Sequence, residues 1–178
     1  MNTPEPYLRF LDLVKSRYSC RAYLPEPISR EDITAVIETA RLAPSACNRQ
    51  PWTFFVADTP ESCKTVALCY DREWAKGVPA FIVACGDREQ AWSRSSDGKS
   101  HVDIDLSIAI EHICLASAAI GLGTCWICNF DVERLRNALN MPDNIEPVAI
   151  IAIGHYDTSV AIPEKKRKSI DEIIVWED

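Results

Sequence analysis

The sequence predicts a single domain of mixed α and β structure. Segments with apolar residues at helical spacing alternate with short apolar segments that are typical of strands. The chain has 178 residues, which suits one domain with a sizeable core. It contains no internal repeat and no linker long enough to divide it. We therefore expect one domain over residues 1–178.

The first half of the chain carries patterns for three helices and two strands. Leu8, Leu11 and Val14 recur at helical spacing. Ser29 is an N-cap residue that precedes two acids, and Pro44 ends the helix that it begins. The strand patterns are apolar and rich in aromatic or β-branched residues. The predicted elements are helices over 7–15, 29–43 and 61–70 and strands over 52–57 and 79–86.

The strongest helical pattern lies in the second half, over residues 105–120, and it is apolar nearly all round. Such a helix belongs in a core or in an obligate interface. The polar residues 87–101 before it predict a mobile loop. After it, the sequence predicts strands over 124–129 and 147–155 and a helix over 131–139 between them.

The tail after residue 155 joins a basic cluster, residues 165–168, to a strongly apolar end. An apolar tail outside a compact domain needs a surface on which to pack, and a partner subunit would provide one. The apolar residues of this end are Ile170, Ile173, Ile174, Val175 and Trp176.

Composition argues against several classes of function. The formal net charge is −7, whereas nucleic-acid and membrane-surface proteins favour basic surfaces. No apolar run reaches the length of a membrane span, and the N-terminus lacks a signal pattern. We therefore expect a cytoplasmic protein that binds neither nucleic acid nor membrane.

The eight cysteines predict buried thiols rather than disulfides. The cytosol keeps thiols reduced, and most of these residues stand in apolar runs, where cysteine behaves as a small hydrophobic residue. Cys125 and Cys128 have CxxC spacing, but no second pair accompanies them for a zinc or iron–sulfur site. In a strand these two side chains would point to opposite faces. A redox dithiol remains an alternative.

An alternating motif near the N-terminus contains Arg17, Ser19 and Arg21. In an extended segment these three side chains share one face, and two guanidinium groups with a hydroxyl form a receptor for phosphate. The alternative interpretation is an ordinary solvated surface. The basic cluster around Arg167 is a second cationic feature, and neither common glycine-rich nucleotide loop is present.

Residues 44–52 contain two prolines, short polar side chains and an indole between a predicted helix and a predicted strand. Proline fixes the backbone, and Ser and Asn supply short hydrogen-bonding groups. A rigid polar loop of this kind is more than a turn requires. Residues 44–52 therefore predict a rigid surface against which a flat ligand packs.

These segments together resemble the FMN-dependent nitroreductase family. The motif of Arg17, Ser19 and Arg21 resembles the family's phosphate- and ribityl-binding motif, and residues 44–52 resemble its P-S-[SA]-x-N-x-Q-P-W loop. Residues 121–127 are similar to its G-L-G-[TS]-x-W-I segment. Lys165 and Arg167 also resemble a basic pair near the end of the family's sequences, which reaches the FMN phosphate. The matches occur in the family's order and span nearly the whole chain.

The resemblance implies an α+β fold around a mostly antiparallel sheet and an intertwined homodimer whose C-terminal arm, residues 157–178, packs on the partner subunit. It implies two FMN sites at the subunit interface. The phosphate end would be held by Arg17, Ser19, Arg21, Lys165 and Arg167. The ring would meet Pro44, Ser45, Ala46 and Asn48 of the other subunit, with Gly123, Trp126, Ile127 and Cys128 near its reactive edge.

The implied activity is a ping-pong oxidoreductase reaction in which NAD(P)H reduces FMN at N5 and the flavin reduces an electron-poor acceptor. Nitroaromatics, quinones and enones are the expected acceptors. The flavin carries this chemistry, so neither a catalytic side chain nor a metal is expected. Alternatives are a flavin reductase, a reductive dehalogenase, a redox-sensing flavoprotein with little turnover and a structural metal protein.

Two departures from the family pattern concern the ligand pocket. Asp71 stands where family members often carry an asparagine at the pyrimidine edge of the flavin, and a carboxylate cannot donate a hydrogen bond as an amide does. The chain is also short, so we expect the helical insertion that narrows the pocket of longer members to be missing or replaced by the loop over residues 87–101. We interpret His101, Asp103 and Asp105 as capping or solvated residues, and His112 as a core residue.

Overall fold

The computed structural model describes residues 4–177 and has an α+β fold built on one four-stranded sheet. The strand order is β1-β2-β4-β3, and all neighbouring strands are antiparallel. This confirms the predicted fold class. The strands are β1 Trp52–Ala57, β2 Ala80–Asp87, β3 Gly123–Ile127 and β4 Ile145–Gly154.

Five α-helices surround the sheet within this part of the chain, and their types agree with the sequence predictions while several ends differ. The fourth helix begins three residues before its predicted start, because Val102 is apolar and buried and joins the helix. Short 3-10 turns over Ala46–Asn48, Glu73–Gly77 and Ile170–Glu172 were not predicted. The helices are α1 Glu5–Ser16, α2 Arg30–Arg41, α3 Pro60–Ala67, α4 Val102–Ala119 and α5 Val132–Ala138.

The sheet lies between two helical layers. Helices α2 and α4 cover one face, and α3, α5 and the 73–77 turn cover the other. All eight residues of the central strand β2 are buried. Because both faces of β2 and β4 are covered, these strands are apolar along nearly their whole length and do not show the alternation of a half-exposed strand.

Helix α4 is the central helix of the first layer, as its apolar sequence predicted. Its buried residues contact the sheet, α2 and α1. None of the helices in residues 4–177, α4 included, combines the length and the apolar character needed to cross a membrane. The position of α4 matters for the site, because both ends of the candidate site contact it.

Two regions keep large apolar side chains exposed. Helix α1 has no buried residue, and residues 157–177 pack little against the rest of the described chain. The exchange of this arm between subunits therefore remains a prediction. The exposed side chains are Tyr7, Leu8, Phe10 and Val14 of α1 and Val160, Ile162, Ile170, Ile173, Ile174, Val175 and Trp176 of the arm.

The cysteines behave as the sequence predicts, since all eight are free and six are buried. Cys47 and Cys128 are the two exposed thiols. Cys125 is buried while Cys128 is exposed, so the CxxC pair does not present two thiols on one surface. No three His, Cys, Asp or Glu side chains of the described residues are grouped so that they could hold a metal ion.

Candidate functional site

Residues 17–21 run in an extended conformation beside the outer strand β3. Ser19 forms a parallel bridge with Thr124, and the Cys20 N–H donates to the Thr124 carbonyl at 2.8 Å. Cys20 is buried, whereas Ser19 and Arg21 on either side of it are exposed. This alternation turns the hydroxyl and the guanidinium group away from the core.

Gly123 allows this segment to approach the strand closely. A Cβ at this position would lie 2.9 Å from both Cβ and Sγ of Cys20. Real side chains do not approach so closely, so a larger residue would push the segment away. The glycine of the sequence motif therefore has a packing role beneath the 17–21 segment.

Cations from both ends of the chain meet next to this segment. The Arg17 side chain is 24% exposed, and its Nε lies 3.5 Å from Oε1 of Glu111 on α4. Lys165 donates from Nζ to the Lys15 carbonyl. Burial, together with the positive charges of Arg17 and Arg167, lowers the pKa of Lys165. Lys165 therefore lies within range of the charges of both Arg17 and Arg167.

This cluster is electrostatically incomplete without an anion. Among the residues that the structure describes, no carboxylate lies within 4.0 Å of a charged nitrogen of Arg21, Lys165 or Arg167. Gathered positive charges repel one another, and an oxyanion with several acceptor oxygens stabilises them. Guanidinium groups match such an oxyanion in geometry.

The second part of the candidate site is the 44–51 loop, whose backbone is unusual. Cys47, Asn48 and Gln50 have φ values of 51°, 53° and 51°, in the left-handed region that side-chain-bearing residues seldom occupy. Among described residues, Asn140 is the only other non-glycine residue with positive φ. Such conformations cost about 1–2 kcal/mol per residue, so the surrounding structure must maintain them.

Hydrogen bonds inside the loop and from α4 maintain this conformation. The Ser45 hydroxyl accepts from the Gln50 N–H at 2.9 Å, and the Ser45 carbonyl accepts from the Asn48 N–H at 2.9 Å. The Ala46 N–H donates to Oδ1 of Asp105 at 2.9 Å. Ser45 and Ala46 are half-buried, whereas Pro44 and Asn48 are exposed.

The loop ends against α4 at Gly86 of β2. The Asp87 N–H donates to the Pro51 carbonyl at 2.8 Å. A Cβ on Gly86 would overlap the Val102 side chain and would lie 2.9 Å from Cδ1 of Leu106. Only glycine allows the strand, the loop and the first turns of α4 to pack together here.

Asp105 was wrongly interpreted from the sequence as a capping or solvated residue. It is 2% exposed and accepts a hydrogen bond from the loop, while Asp103 is exposed. The reason is that α4 begins at Val102, so Asp105 falls inside the first turn and faces the loop. An acidic residue at the start of an apolar helix was the available signal.

The end of β3 supplies the third part of the candidate site. Trp126 is half-buried in the core below α2 and α4, and its Nε1 is buried with no hydrogen-bond partner in the described structure. Ile127 is buried on the opposite face, in contact with the other core. The predicted strand over 124–129 ends at Ile127, so Cys128 lies beyond it and is exposed.

Two remaining residues lie apart from these features. Asp71 is exposed after α3, and among the described residues its carboxylate has no hydrogen-bond or ion-pair partner. His112 is half-buried, and its Nδ1 lies 3.1 Å from the Thr39 carbonyl between α4 and α2, which agrees with a core position.

Within one chain the cation cluster of Arg17, Lys165 and Arg167 is separate from the 44–51 loop. No hydrogen bond or ion pair in residues 4–177 joins the 17–21 segment to the loop. Both instead contact α4, through Glu111 and Asp105 respectively. The structure therefore brings together the cations of the two chain ends but keeps the ring-type loop at a different position.

Comparison with known sequences places these features in a family context. The nitroreductase family model matches residues 14–67 and 64–155. A protein of Archaeoglobus fulgidus with the provisional name NADH dehydrogenase/NAD(P)H nitroreductase is 32% identical over 153 residues, which cover 82% of this chain and 84% of the relative. An iodotyrosine deiodinase of Danio rerio is 25% identical over 196 residues, covering 94% of this chain and 66% of the deiodinase.

Solved structures agree with this result. A nitroreductase family protein of Clostridium difficile has a TM-score of 0.84 and 34% identity, with 94% of this chain and 98% of that chain covered. An FMN-dependent nitroreductase from another strain of that species has a TM-score of 0.73 and 26% identity, covering 92% and 94% of the two chains. The matched residues contain the cation motif, the 44–51 loop and β3, so the chain belongs to the nitroreductase family and is an oxidoreductase.

Proposed function

We propose that the protein is an FMN-dependent oxidoreductase that uses NAD(P)H. The observation that carries this proposal is that Lys165 lies near both Arg17 and Arg167, while only Arg17 of these three has a carboxylate partner among residues 4–177. When bound, FMN would supply the redox chemistry: a hydride from NAD(P)H would be taken up at N5 and passed on to an electron-poor acceptor such as a nitroaromatic, quinone or enone in a ping-pong cycle.

The residues at the phosphate end fit a phosphate ester. Arg17 and Arg167 present guanidinium forks, and Lys165 adds a point charge from a fixed position. Ser19 and Arg21 face outward on the same extended segment, where the hydroxyl can donate to a phosphate or ribityl oxygen. Glu111 orients Arg17 from α4 and does not cancel the remaining positive charge.

At the ring end the chain supplies shape and backbone donors rather than acids and bases. Pro44, Ser45, Ala46 and Asn48 form the fixed surface of the loop, against which the flat ring would rest. The exposed backbone at Cys128 follows Ile127 and would donate a hydrogen bond at the reactive edge. Gly123 and Trp126 support these groups from within β3. The proposal needs no acid–base side chain in contact with the acceptor.

We propose further that the protein works as a homodimer. Helix α1 and the C-terminal arm expose eleven large apolar side chains, which monomeric proteins rarely group together. Packing of these surfaces on a second chain would bury them. One chain keeps its 44–51 loop apart from its cation cluster. In the dimer, the loop of one protomer would instead meet the cation cluster of its partner.

Flavin spectroscopy on the purified full chain tests the proposal. We expect a yellow protein of dimeric mass by light scattering, which bleaches when NADH or NADPH is added without oxygen. Addition of a nitroaromatic or a quinone should then restore the colour. A colourless monomer that does not bind added FMN would contradict the proposal.

A second candidate reaction is reductive dehalogenation, which the similarity to an iodotyrosine deiodinase favours. In that reaction a carbon–iodine bond is replaced by a carbon–hydrogen bond, iodide leaves, and two electrons and a proton are consumed. Iodotyrosine added to the reduced protein would distinguish the two candidates. Release of iodide, at a rate above that of reduction of a nitroaromatic, would favour the dehalogenase.

A further inference from the structure

Asp105 is a buried carboxylate whose hydrogen bonding is incomplete. It is 2% exposed, and Oδ1 accepts from the Ala46 N–H at 2.9 Å. Oδ2 is buried and has no hydrogen-bond partner in the described residues. A buried carboxylate with a free oxygen lowers the stability of the fold, so its presence requires an explanation.

The other buried carboxylate of the described chain, Asp87, shows what a structural role looks like. Its Oδ1 accepts from the N–H groups of Glu89 and Gln90, and its Oδ2 accepts from Nδ2 of Asn144 at 2.8 Å. Both oxygens of Asp87 are therefore satisfied and hold a turn together. Asp105 has one bond, and that bond goes to the 44–51 loop.

The position of the loop relative to the rest of the fold depends on the hydrogen bond from Ala46 to Asp105. Both bonds of Ser45 stay inside the loop and cannot fix its position relative to the fold. Two hydrogen bonds of the described chain connect the loop to other elements. One is at its end, from Asp87 to Pro51, and the other is near its start, from Ala46 to Asp105. The three left-handed residues all lie between these two points.

We propose that Asp105 is a positioning residue, which holds the ring-facing loop in its left-handed conformation against α4. The proposal rests on the function proposed above for the meaning of the loop. Asp105 lies in the first turn of the 18-residue helix α4, and its Oδ1 accepts from the Ala46 N–H at 2.9 Å.

Three variants of the full chain separate a positioning role from a general structural role. Asp105→Asn keeps an acceptor oxygen and the size of the side chain, and Asp105→Leu removes the acceptor but fills the space. Asp103→Asn is the matched control, because Asp103 is an exposed acid of the same helical turn. Each variant is examined for thermal unfolding, amide hydrogen exchange over residues 44–52 and retention of FMN.

We expect Asp105→Leu to fold with a melting temperature close to that of the wild type, since an apolar side chain replaces a buried polar group with one unsatisfied oxygen. The half-buried Ala46 amide can then turn to water, so exchange in the loop should rise about tenfold, as should the Kd for FMN. Asp105→Asn, which keeps an acceptor oxygen, should leave loop exchange and the Kd for FMN closer to the wild-type values than Asp105→Leu does. Asp103→Asn should change neither loop exchange nor the Kd for FMN.

Unchanged loop exchange in Asp105→Leu would overturn the proposal. So would global unfolding of that variant, because the carboxylate would then serve the whole core. The hydrogen-exchange result does not depend on a ligand. If the wild type retained no FMN while loop exchange changed as expected, the positioning role would stand and the proposed function would fail.

Discussion

The phosphate end and the ring end of the candidate site are built in opposite ways. The phosphate end consists of charged side chains on an ordinary extended backbone, drawn from residues 17–21 and 165–167 at the two ends of the chain. The ring end consists of one short loop whose backbone is strained and whose side chains carry little charge.

This difference indicates that the two ends respond to different changes. Removal of a charge should weaken the phosphate end without altering the fold, because its side chains lie outside the two apolar cores. A change in backbone freedom or packing should alter the ring end and the stability of the fold together. Substitutions at each end, together with the pH dependence of FMN binding, can test this separation.

Arg17→Ala should produce the largest loss of FMN. Hydrogen bonds to a charged group contribute about 1.5–3 kcal/mol, so the Kd for FMN should rise by one to two orders of magnitude. Fluorescence of released flavin measures the change. Arg9→Ala is the control, since Arg9 is an exposed cation of α1 that pairs with Glu5. Normal flavin content in Arg17→Ala would contradict the assignment of the phosphate end.

Gly86→Ala should lower the free energy of unfolding by about 1–3 kcal/mol, because the new Cβ would overlap Val102 and crowd Leu106. Urea unfolding measures this effect. Gly77→Ala is the matched control, since a Cβ at Gly77 has no heavy atom within 4 Å. Equal stability of the two variants would show that the loop and α4 are not tightly packed.

A pair of glycine substitutions in the loop should have opposite signs. Gln50→Gly relieves a left-handed side-chain-bearing residue and should raise the free energy of unfolding by about 0.5–1 kcal/mol. Arg49 has an ordinary φ of −72°, so Arg49→Gly should lower it by a similar amount through the entropy of the unfolded chain. Destabilisation by both would show that the loop conformation carries no strain.

The smallest expected effect is a pH dependence of FMN binding. Burial and two neighbouring cations lower the pKa of Lys165, so this side chain loses its charge at a lower pH than an ordinary lysine as the pH rises. A bound phosphate favours the charged form. FMN affinity should therefore fall as the pH rises through that lowered pKa, and Lys165→Arg should remove this fall. An identical alkaline profile in both proteins would exclude Lys165 from the cluster.

The sequence predicts the sheet and the extended conformation of residues 17–21 well because their signals are local. The apolar runs of β2 and β4 and the apolar helix α4 are continuous in the sequence, and the structure has elements of the same type there. The alternation of Arg17, Ser19 and Arg21 is also local, and the structure shows an extended segment in which Cys20 is the buried residue.

The rigidity of the 44–51 loop could be predicted from the sequence, but its backbone conformation could not. Its prolines and short polar side chains indicated a rigid loop, yet the left-handed conformations of Cys47, Asn48 and Gln50 depend on contacts with other elements. The hydrogen bond from Ala46 joins residues 59 positions apart, so no local pattern predicts that Asp105 is buried. The short 3-10 turns have too few residues to give a periodic signal.

Helix α4 sets the distance and the direction between the two halves of the site. Asp105 and Glu111 are six residues apart on a rigid rod, which separates them by about 9 Å along its axis and about 120° around it. One chain thus holds its loop and its cations on different sides of the same helix. A single flat cofactor that contacts both must therefore lie between two copies of α4. A one-residue insertion between Asp105 and Glu111 would rotate one of these contacts relative to the other by about 100°.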